Sequence, residues 1–110
     1  MTPIAVVTTV GSRAEAQSLA HALVQRRLAA CAQISDIRSV YRWQGRIEQA
    51  DECRVVIKTT RERYAEVEQA IRELHSYELP GIHAWAFDEI HAPYADWIVQ
   101  SCDGAAQSQP

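Results

Sequence analysis

The chain has 110 residues, of which 47% are hydrophobic and 23% are charged, and its formal net charge is −3. This length fits one domain and argues against two, and the apolar fraction is enough for a packed core, which argues against a disordered chain. The slight excess of acidic residues argues against a dedicated nucleic-acid-binding protein, whose affinity would come mainly from a basic surface.

The distribution of apolar residues and cysteines bears on the compartment. No apolar run approaches the roughly 20 residues that span a bilayer, and the first one, IAVVTTV, lacks the basic segment and cleavage pattern of a signal peptide. Cys31, Cys53 and Cys102 are odd in number and widely spaced, so they suggest neither a disulfide framework nor a zinc site. We therefore expect a cytoplasmic protein with no membrane partner and no nucleic-acid partner.

The first part of the chain predicts a strand followed by a helix. Residues 4–10 are β-branched and nearly all apolar, as in a central strand that is buried on both faces. Ser12 and Glu15 have the spacing of a capping box, and apolar residues then recur at helical intervals. Arg26 and Arg27 are expected in the last turn of this helix, where cations favour the helix dipole.

The middle of the chain predicts a hairpin. Residues 32–43 alternate as in an extended strand, and Gln44 and Gly45 form the turn. Residues 48–51, with the sequence EQAD, are expected to be a solvated irregular stretch, whereas residues 53–60 predict a strong strand.

The last part of the chain predicts a helix, a strand and a short final helix. The capping-box spacing recurs at Thr59 and Glu62, ahead of a second amphipathic helix. Pro80 follows the end of this helix, because proline disfavours helical geometry in the residue before it. Residues 82–90 predict a fourth strand, and Pro93 is expected at the first position of the final helix.

The predicted order of elements is β-α-β-β-α-β with a short C-terminal helix, which indicates an α+β, ferredoxin-like sandwich. Residues 1–102 are expected to form one domain and residues 103–110 a flexible tail. Right-handed crossovers place both long helices on one face of the sheet, so the opposite face has no covering element from its own chain. Because that face carries Tyr41, Trp43, Trp85 and Phe87, we expect another copy of the chain to cover it.

Four segments together resemble the CutA family of divalent-cation tolerance proteins. They are AACAQI, SVYRWQGRIEQADECRVVIKTT, LHSYELPGI and YADWI, and the resemblance runs from about residue 6 to about residue 98. The resemblance implies a ferredoxin-like homotrimer in which the long hairpin reaches a neighbouring subunit. It also implies kinship of architecture with the PII signal-transduction proteins, which are trimers that bind small ligands in clefts between subunits.

The resemblance further implies a binding or sensing role in tolerance of copper and other divalent metals, with no catalytic activity. The residues expected to lie in a ligand cleft or a subunit interface are Tyr41, Trp43, Lys58, Tyr77 and Trp97. Trp43 and Tyr41 suit an interface core, or they stack on a ligand. Lys58 either extends along the surface of the sheet or lines a cleft for a small anionic ligand, as in a PII-like sensor.

His75 and Glu78 are the candidate metal ligands, since imidazole and carboxylate groups bind divalent metals. The alternative for His75 is a histidine that is merely favoured at a helix C terminus. The sequence departs from the pattern of copper-binding relatives, because Thr8 stands where a cysteine is expected and Gly81 where an acid is expected. A soft Cu(I) site needs sulfur ligands, so we expect copper or another divalent metal to bind weakly at most.

Motifs for catalysis are nearly absent from the sequence. The four glycines are scattered singly and cannot form a phosphate-binding loop. Arg13, which follows Gly11 at a helix N terminus, could hold an anion. An acylphosphatase-like hydrolase of the same fold is therefore the alternative from another functional class. Each cysteine is expected to be a small core residue.

Overall fold

The computed structural model describes residues 1–103, and this part of the chain contains four strands and three α-helices in an α+β fold. In chain order the elements are β1 (Pro3–Val10), α1 (Arg13–Gln25), β2 (Cys31–Trp43), β3 (Arg46–Thr60), α2 (Tyr64–Leu74), β4 (Ile82–Ala86) and α3 (Ala92–Ser101). A short 3-10 turn, Arg61–Arg63, precedes α2. Most of the predicted tail, residues 104–110, lies outside the described residues.

The strands form one sheet in the order β2-β3-β1-β4, and each strand is antiparallel to its neighbours. Strand β2 pairs with β3 over its whole length, from Cys31 opposite Lys58 to Trp43 opposite Arg46. Strand β1 accompanies β3 only as far as Val10, which lies opposite Cys53. Residues 37–52 therefore extend beyond the rest of the sheet, and we call them the projecting hairpin.

The main core lies between the sheet and the helices α1 and α2. Strands β1 and β3 send alternate apolar side chains towards the helices, as a half-covered sheet requires. The largest of the completely buried side chains in this core are Ile4, Val6, Val10, Leu23, Val55, Ile57, Val67 and Ile71. Burial of each such side chain stabilises the fold by about 1.5–3 kcal/mol, so this core holds the sheet and both helices together.

The start of α1 agrees with the sequence only in part. The Ser12 hydroxyl accepts a hydrogen bond from the Glu15 amide at 3.1 Å, as a helix cap does. The Glu15 carboxylate does not return to Ser12 but accepts hydrogen bonds from the amide and the hydroxyl of Ser76. Glu15 thereby holds the segment that follows α2.

The prediction that Arg26 and Arg27 lie in the last turn of α1 was wrong, because the helix ends at Gln25. Arg27 has a positive φ of 59°, and the Leu28 amide donates to the Leu23 carbonyl at 3.0 Å. These are the features of a Schellman motif, in which one residue adopts the left-handed conformation and the next apolar residue turns back onto the helix. The closing turn buries Leu28 and leaves the arginines outside the helix.

The second predicted capping box was also wrong. Thr59 still belongs to β3 and is completely buried, and its hydroxyl donates to the Leu28 carbonyl at 2.6 Å. Glu62 instead accepts a hydrogen bond from the Thr2 amide at 3.3 Å. At the final helix the difference is one residue, since α3 begins at Ala92 and Pro93 occupies its second position.

Two predicted strand boundaries need correction. Residues 48–51 are not irregular but continue β3, since their backbone pairs with β2 throughout and Asp51 forms an ion pair with Arg38 across the hairpin. Polar residues are compatible with a strand that has no core on either side. Strand β4 ends at Ala86 and not at residue 90, because Ala86 already lies opposite Ile4, next to Pro3 at the start of β1.

The second face of the sheet was expected to have no cover from its own chain, and this expectation was wrong in part. Helix α3 approaches that face, where the Tyr94 hydroxyl lies 3.3 Å from the Lys58 amino group. Trp85 on β4 stays 52% exposed. The side chains of residues 1–103 therefore cover part of the face and leave aromatic surface open. None of the helices described is long and apolar enough to cross a membrane.

Candidate functional site

A cavity of about 520 Å³ opens where the projecting hairpin leaves the sheet. It lies between the hairpin and the first residues of α1, just beyond the end of β1. The residues that line it are Gly11, Ser12, Arg13, Asp36, Ile37, Arg38, Asp51, Glu52 and Cys53. We call it the hairpin-base cavity. Its volume lies in the range of roughly 300–1,000 Å³ that is usual for small-molecule sites.

His75 anchors the segment after α2 to the end of β1. Its imidazole is completely buried, and Nε2 donates to the Thr9 carbonyl at 2.6 Å. Its Nδ1 accepts a hydrogen bond from the Tyr77 amide at 3.1 Å. An imidazole with one donor and one acceptor nitrogen is neutral, so the contact of 3.8 Å between Nδ1 and Glu15 is not an ion pair in this state. Both nitrogens are therefore in use.

Tyr77, held in this way, contacts Glu52, which lines the hairpin-base cavity. Its hydroxyl donates to Glu52 Oε2 at 2.5 Å, and Glu52 is only 8% exposed. Burial, followed by the hydrogen bond and the negative charge of Glu52, raises the pKa of Tyr77 well above its usual value. Tyr77 is therefore a permanent proton donor to Glu52 at neutral pH.

The other charged groups of the cavity are paired with one another. One terminal nitrogen of Arg13 donates to both oxygens of Asp36, each at 2.6 Å. Arg38 donates to Asp51 at 2.8 Å. Within each pair one cation neutralises one carboxylate. The charged side chains of the lining therefore sum to one negative charge, which is that of Glu52.

Cys53 lies beside the first of these pairs, with its Sγ 3.5 Å from Asp36 Oδ1. Burial raises the pKa of the Cys53 thiol, and the hydrogen bond to Asp36 raises it further. The group is thus a neutral thiol that donates to a carboxylate. It is neither an activated nucleophile nor a thiolate ligand.

A second group of side chains, the Lys58 cluster, lies on the face of the sheet that α3 approaches. The Lys58 amino group donates to Gln33 Oε1 at 3.1 Å and to the Tyr94 hydroxyl at 3.3 Å, and it lies 5.6 Å from the centre of the Tyr94 ring. The Tyr94 ring stacks on Trp97 with centroids 5.7 Å apart. The cluster thus combines a cation with an exposed aromatic surface.

The structure does not gather the five predicted cleft or interface residues into one place. Lys58 and Trp97 meet through Tyr94, whereas Tyr77 donates to Glu52 in the lining of the hairpin-base cavity. Tyr41 and Trp43 are exposed on the projecting hairpin, and Trp43 lies at the last pair before the turn. Whether these five residues form a ligand cleft or an interface stays a prediction.

Sequence reasoning missed Glu52, Asp36 and Tyr94 as parts of these sites. Glu52 directly follows the EQAD stretch, which was predicted to be solvated. The one signal of its burial was its position next to the apolar segment that begins with Cys53. Tyr94 was quoted only as part of the YADWI segment. Its spacing of three from Trp97 on a helix was the signal that the two rings meet.

The side chains of a single chain do not fit a tight transition-metal site. Both nitrogens of His75 are hydrogen-bonded, so a metal would have to displace one of these bonds. Glu78 is exposed, and Thr8, at the position where a cysteine was expected, is a buried residue of β1. Residues 1–103 contain no group of three or more His, Cys, Asp or Glu side chains that could hold a metal ion.

Comparison with known proteins covers nearly the whole chain. The family model of the CutA1 divalent ion tolerance protein matches residues 4–101. The divalent-cation tolerance protein CutA of Archaeoglobus fulgidus is 36% identical over 95 residues, which are 86% of this chain and 93% of that protein. The protein of the same name from Thermus thermophilus is 37% identical over 94 residues, or 84% of this chain and 91% of that one.

Solved structures show the same fold. The structure described as the periplasmic divalent cation tolerance protein CutA from Archaeoglobus fulgidus superposes with a TM-score of 0.90 at 34% identity, over 92% of this chain and 99% of that chain. The crystal structure of CutA from Xylella fastidiosa gives a TM-score of 0.90 at 31% identity, over 94% of this chain and 100% of the other. From its sequence and its fold together, the chain belongs to the CutA1 divalent ion tolerance family.

Proposed function

We propose that this protein acts in tolerance of divalent cations, copper among them, as a binding and sensing protein and not as an enzyme. The observation that carries the proposal is the match of residues 4–101 to the CutA1 divalent ion tolerance protein, and the hairpin-base cavity, which has the size of a ligand site, supports a binding role. Groups of this cavity are held in states unsuited to catalysis, since the Cys53 thiol is protonated and Arg13 is bound to Asp36. Arg13 is therefore not free to hold an acyl phosphate, which weighs against a hydrolase.

Growth in graded copper tests the role in tolerance. A bacterial strain that lacks its own member of the family should grow at higher copper concentrations when it expresses this chain. The empty vector is the control, and equal growth with and without the chain would contradict the proposal. Acyl-phosphate hydrolysis by the purified protein should stay at the rate of the buffer, and turnover would favour the hydrolase instead.

We also propose that the chain forms a ferredoxin-like sandwich assembled as a homotrimer. The strand order β2-β3-β1-β4 supports the first part. Exposed apolar side chains support the second, since Ile47 on the projecting hairpin is 68% exposed and Trp85 lies open on the second face. Obligate oligomers bury such surface in interfaces of more than about 2,000 Å². A monomer in sedimentation experiments at micromolar concentration would contradict the trimer.

Metal binding by this chain is proposed to be weak. His75 and Glu78 stay the candidates on one chain, but the hydrogen bonds of His75 to Thr9 and Tyr77 oppose a metal at its nitrogens. Copper titration of the wild type and of His75→Ala under reducing conditions tests this. Binding of one ion per chain with high affinity would contradict the proposal. If His75→Ala kept that affinity, the cysteines would be the next candidate ligands.

The Lys58 cluster favours a second candidate function, a PII-like sensor of a small anionic ligand. Its ammonium group and its exposed ring of Trp97 are the two features that bind a planar anion by charge and stacking. Titration with common nucleotides, for the wild type and for Lys58→Gln, tests this function. The sensor function requires that the wild type binds a nucleotide and that Lys58→Gln binds it more weakly.

We propose the cytoplasm as the compartment. The three cysteines, all among the described residues, are free thiols, as expected in a reducing environment. The relative from Archaeoglobus fulgidus is described as periplasmic. Cell fractionation therefore decides the compartment of this chain, and recovery in the periplasmic fraction would contradict the proposal.

A further inference from the structure

We infer that the hairpin-base cavity binds a small organic cation, a protonated primary amine or a guanidinium group, through the carboxylate of Glu52. The inference rests on the proposed binding function and names the class of ligand for that cavity. It does not depend on whether the protein also binds a metal.

The charges that line the cavity leave room for one positive charge. Arg13 is paired with Asp36 at 2.6 Å and Arg38 with Asp51 at 2.8 Å, so these four groups balance. Glu52 is the fifth charged residue of the lining, and it forms no ion pair with any other of residues 1–103. A ligand with a single positive charge would complete the balance.

The hydrogen bonds of Glu52 point to the same ligand. A carboxylate accepts hydrogen bonds at two oxygens, and Oε1 of Glu52 is not among the fully buried polar atoms that lack a partner, so it stays accessible. Tyr77 donates to Oε2, and no described residue donates to Oε1. Because Glu52 is 8% exposed and lines the cavity, a donor can reach Oε1 from there. Ammonium and guanidinium groups bring several N–H donors together with the required charge.

A metal ion suits this cavity less well than an organic cation. Hard divalent cations need about six or more oxygen ligands, whereas Asp36 and Asp51 are already bound by arginines. A soft cation needs a thiolate, whereas the Cys53 thiol keeps its proton and donates a hydrogen bond to Asp36. Ile37 adds an apolar part to the lining, which suits an alkyl chain attached to the cation.

Calorimetric titration with butylammonium and butylguanidinium chloride tests the inference on the intact protein. The matched variants are Glu52→Gln, which keeps an acceptor for Tyr77, and Glu48→Gln, which removes the same charge from the same strand outside the cavity lining. Glu52→Gln should weaken binding about tenfold to a hundredfold, the usual effect of losing a charge-assisted hydrogen bond. Glu48→Gln should change it less than about threefold, as expected for a screened charge.

Three results would overturn the inference. The first is equal weakening by both variants, which would show a general effect of charge. The second is equal binding of tetramethylammonium, which has no N–H donor. The third is a wild type whose Tyr77 and Glu52 NMR signals do not move on addition of butylammonium, and this measurement stays decisive if Glu52→Gln fails to fold. If the wild type restores copper tolerance but gives any of these three results, only the proposed ligand class is overturned, and the proposed function is unaffected.

Discussion

Removal of the Tyr77 hydroxyl should destabilise the protein through Glu52. The hydroxyl donates to Glu52 at 2.5 Å, and Glu52 is almost completely buried. A hydrogen bond to a charged group contributes about 1.5–3 kcal/mol, and a buried carboxylate that loses its donor is unfavourable in its own right. Tyr77 itself is 36% exposed, so water offsets part of the loss. We expect Tyr77→Phe to lower the free energy of unfolding by about 1.5 kcal/mol.

A double-mutant cycle separates this bond from other effects of the substitution. In the Glu52→Gln background, Tyr77→Phe should cost less, because only a neutral hydrogen bond is lost, and the coupling free energy should be about 1 kcal/mol. The free energies come from urea unfolding at one fixed protein concentration, since stability depends on concentration in an oligomer. The wild type and Glu52→Gln, measured in the same urea series, are the references of the cycle.

The reasoning fails if Tyr77→Phe is as stable as the wild type. It also fails if the coupling between positions 52 and 77 is zero within error. Either result would mean that water replaces the phenol without loss, so that Glu52 is solvated in solution. The hairpin-base cavity would then lack the buried carboxylate on which its ligand class was inferred.

Three more predictions follow from buried polar groups. The native state holds the pKa of Tyr77 above the value of about 10 of an unfolded tyrosine, so above that pH the native state keeps a proton that the unfolded state loses. The free energy of unfolding should therefore fall as the pH rises above about 10. Urea unfolding should show a smaller decrease with pH for Tyr77→Phe than for the wild type, and an equal decrease would contradict this. Thr8→Val should raise the free energy of unfolding by about 1 kcal/mol, since the buried Thr8 hydroxyl has no partner among residues 1–103. Thr59→Val should lower it by about 1–2 kcal/mol, because it removes a buried hydrogen bond. Equal melting temperatures of the two variants in thermal denaturation would refute this. Iodoacetamide should label the half-buried Cys31 before Cys102, which is completely buried and whose thiol pKa is raised by burial; mass spectrometry of the peptides gives the order, and faster labelling of Cys102 would contradict it.

The order of strands and helices was predictable because apolar periodicity reports the core directly. Residues 4–10 and 53–60 are continuous apolar or β-branched segments, and both lie in the centre of the sheet. The two long helices bury most of the stripes that their spacing predicted, but Val24 and Leu74, at the end of each stripe, are 42% exposed. The family resemblance was also confirmed, since its segments are distributed over the whole matched length.

Boundaries were less predictable because contacts distant in sequence decide them. The length of β1 sets where β4 stops pairing, and nothing within residues 82–90 shows that length. The EQAD stretch is a strand because β2 pairs with it, although its composition is that of a loop. The buried hydrogen bond of Thr59 to the carbonyl of Leu28 likewise overrides its spacing to Glu62.

The candidate site escaped prediction for the same physical reason. Glu52 is buried and accepts its hydrogen bond from Tyr77, which lies 25 residues further along the chain. A prediction based on residues that are close in sequence expects an acidic residue in an acidic segment to be exposed to solvent. The segment around His75 was read as a source of metal ligands, and its histidine does have the chemistry of a ligand.

The position of His75 makes better sense as support for Tyr77 than as a metal ligand. Its Nε2 is used on the backbone of β1 and its Nδ1 on the amide of Tyr77, so a single ring links the strand to the residue that covers Glu52. A histidine reserved for a metal would keep one nitrogen free and would use the other for orientation. Since both are occupied by the backbone, the imidazole serves as a rigid neutral connector, and the carboxylate that it helps to bury is the chemically distinctive group of this surface.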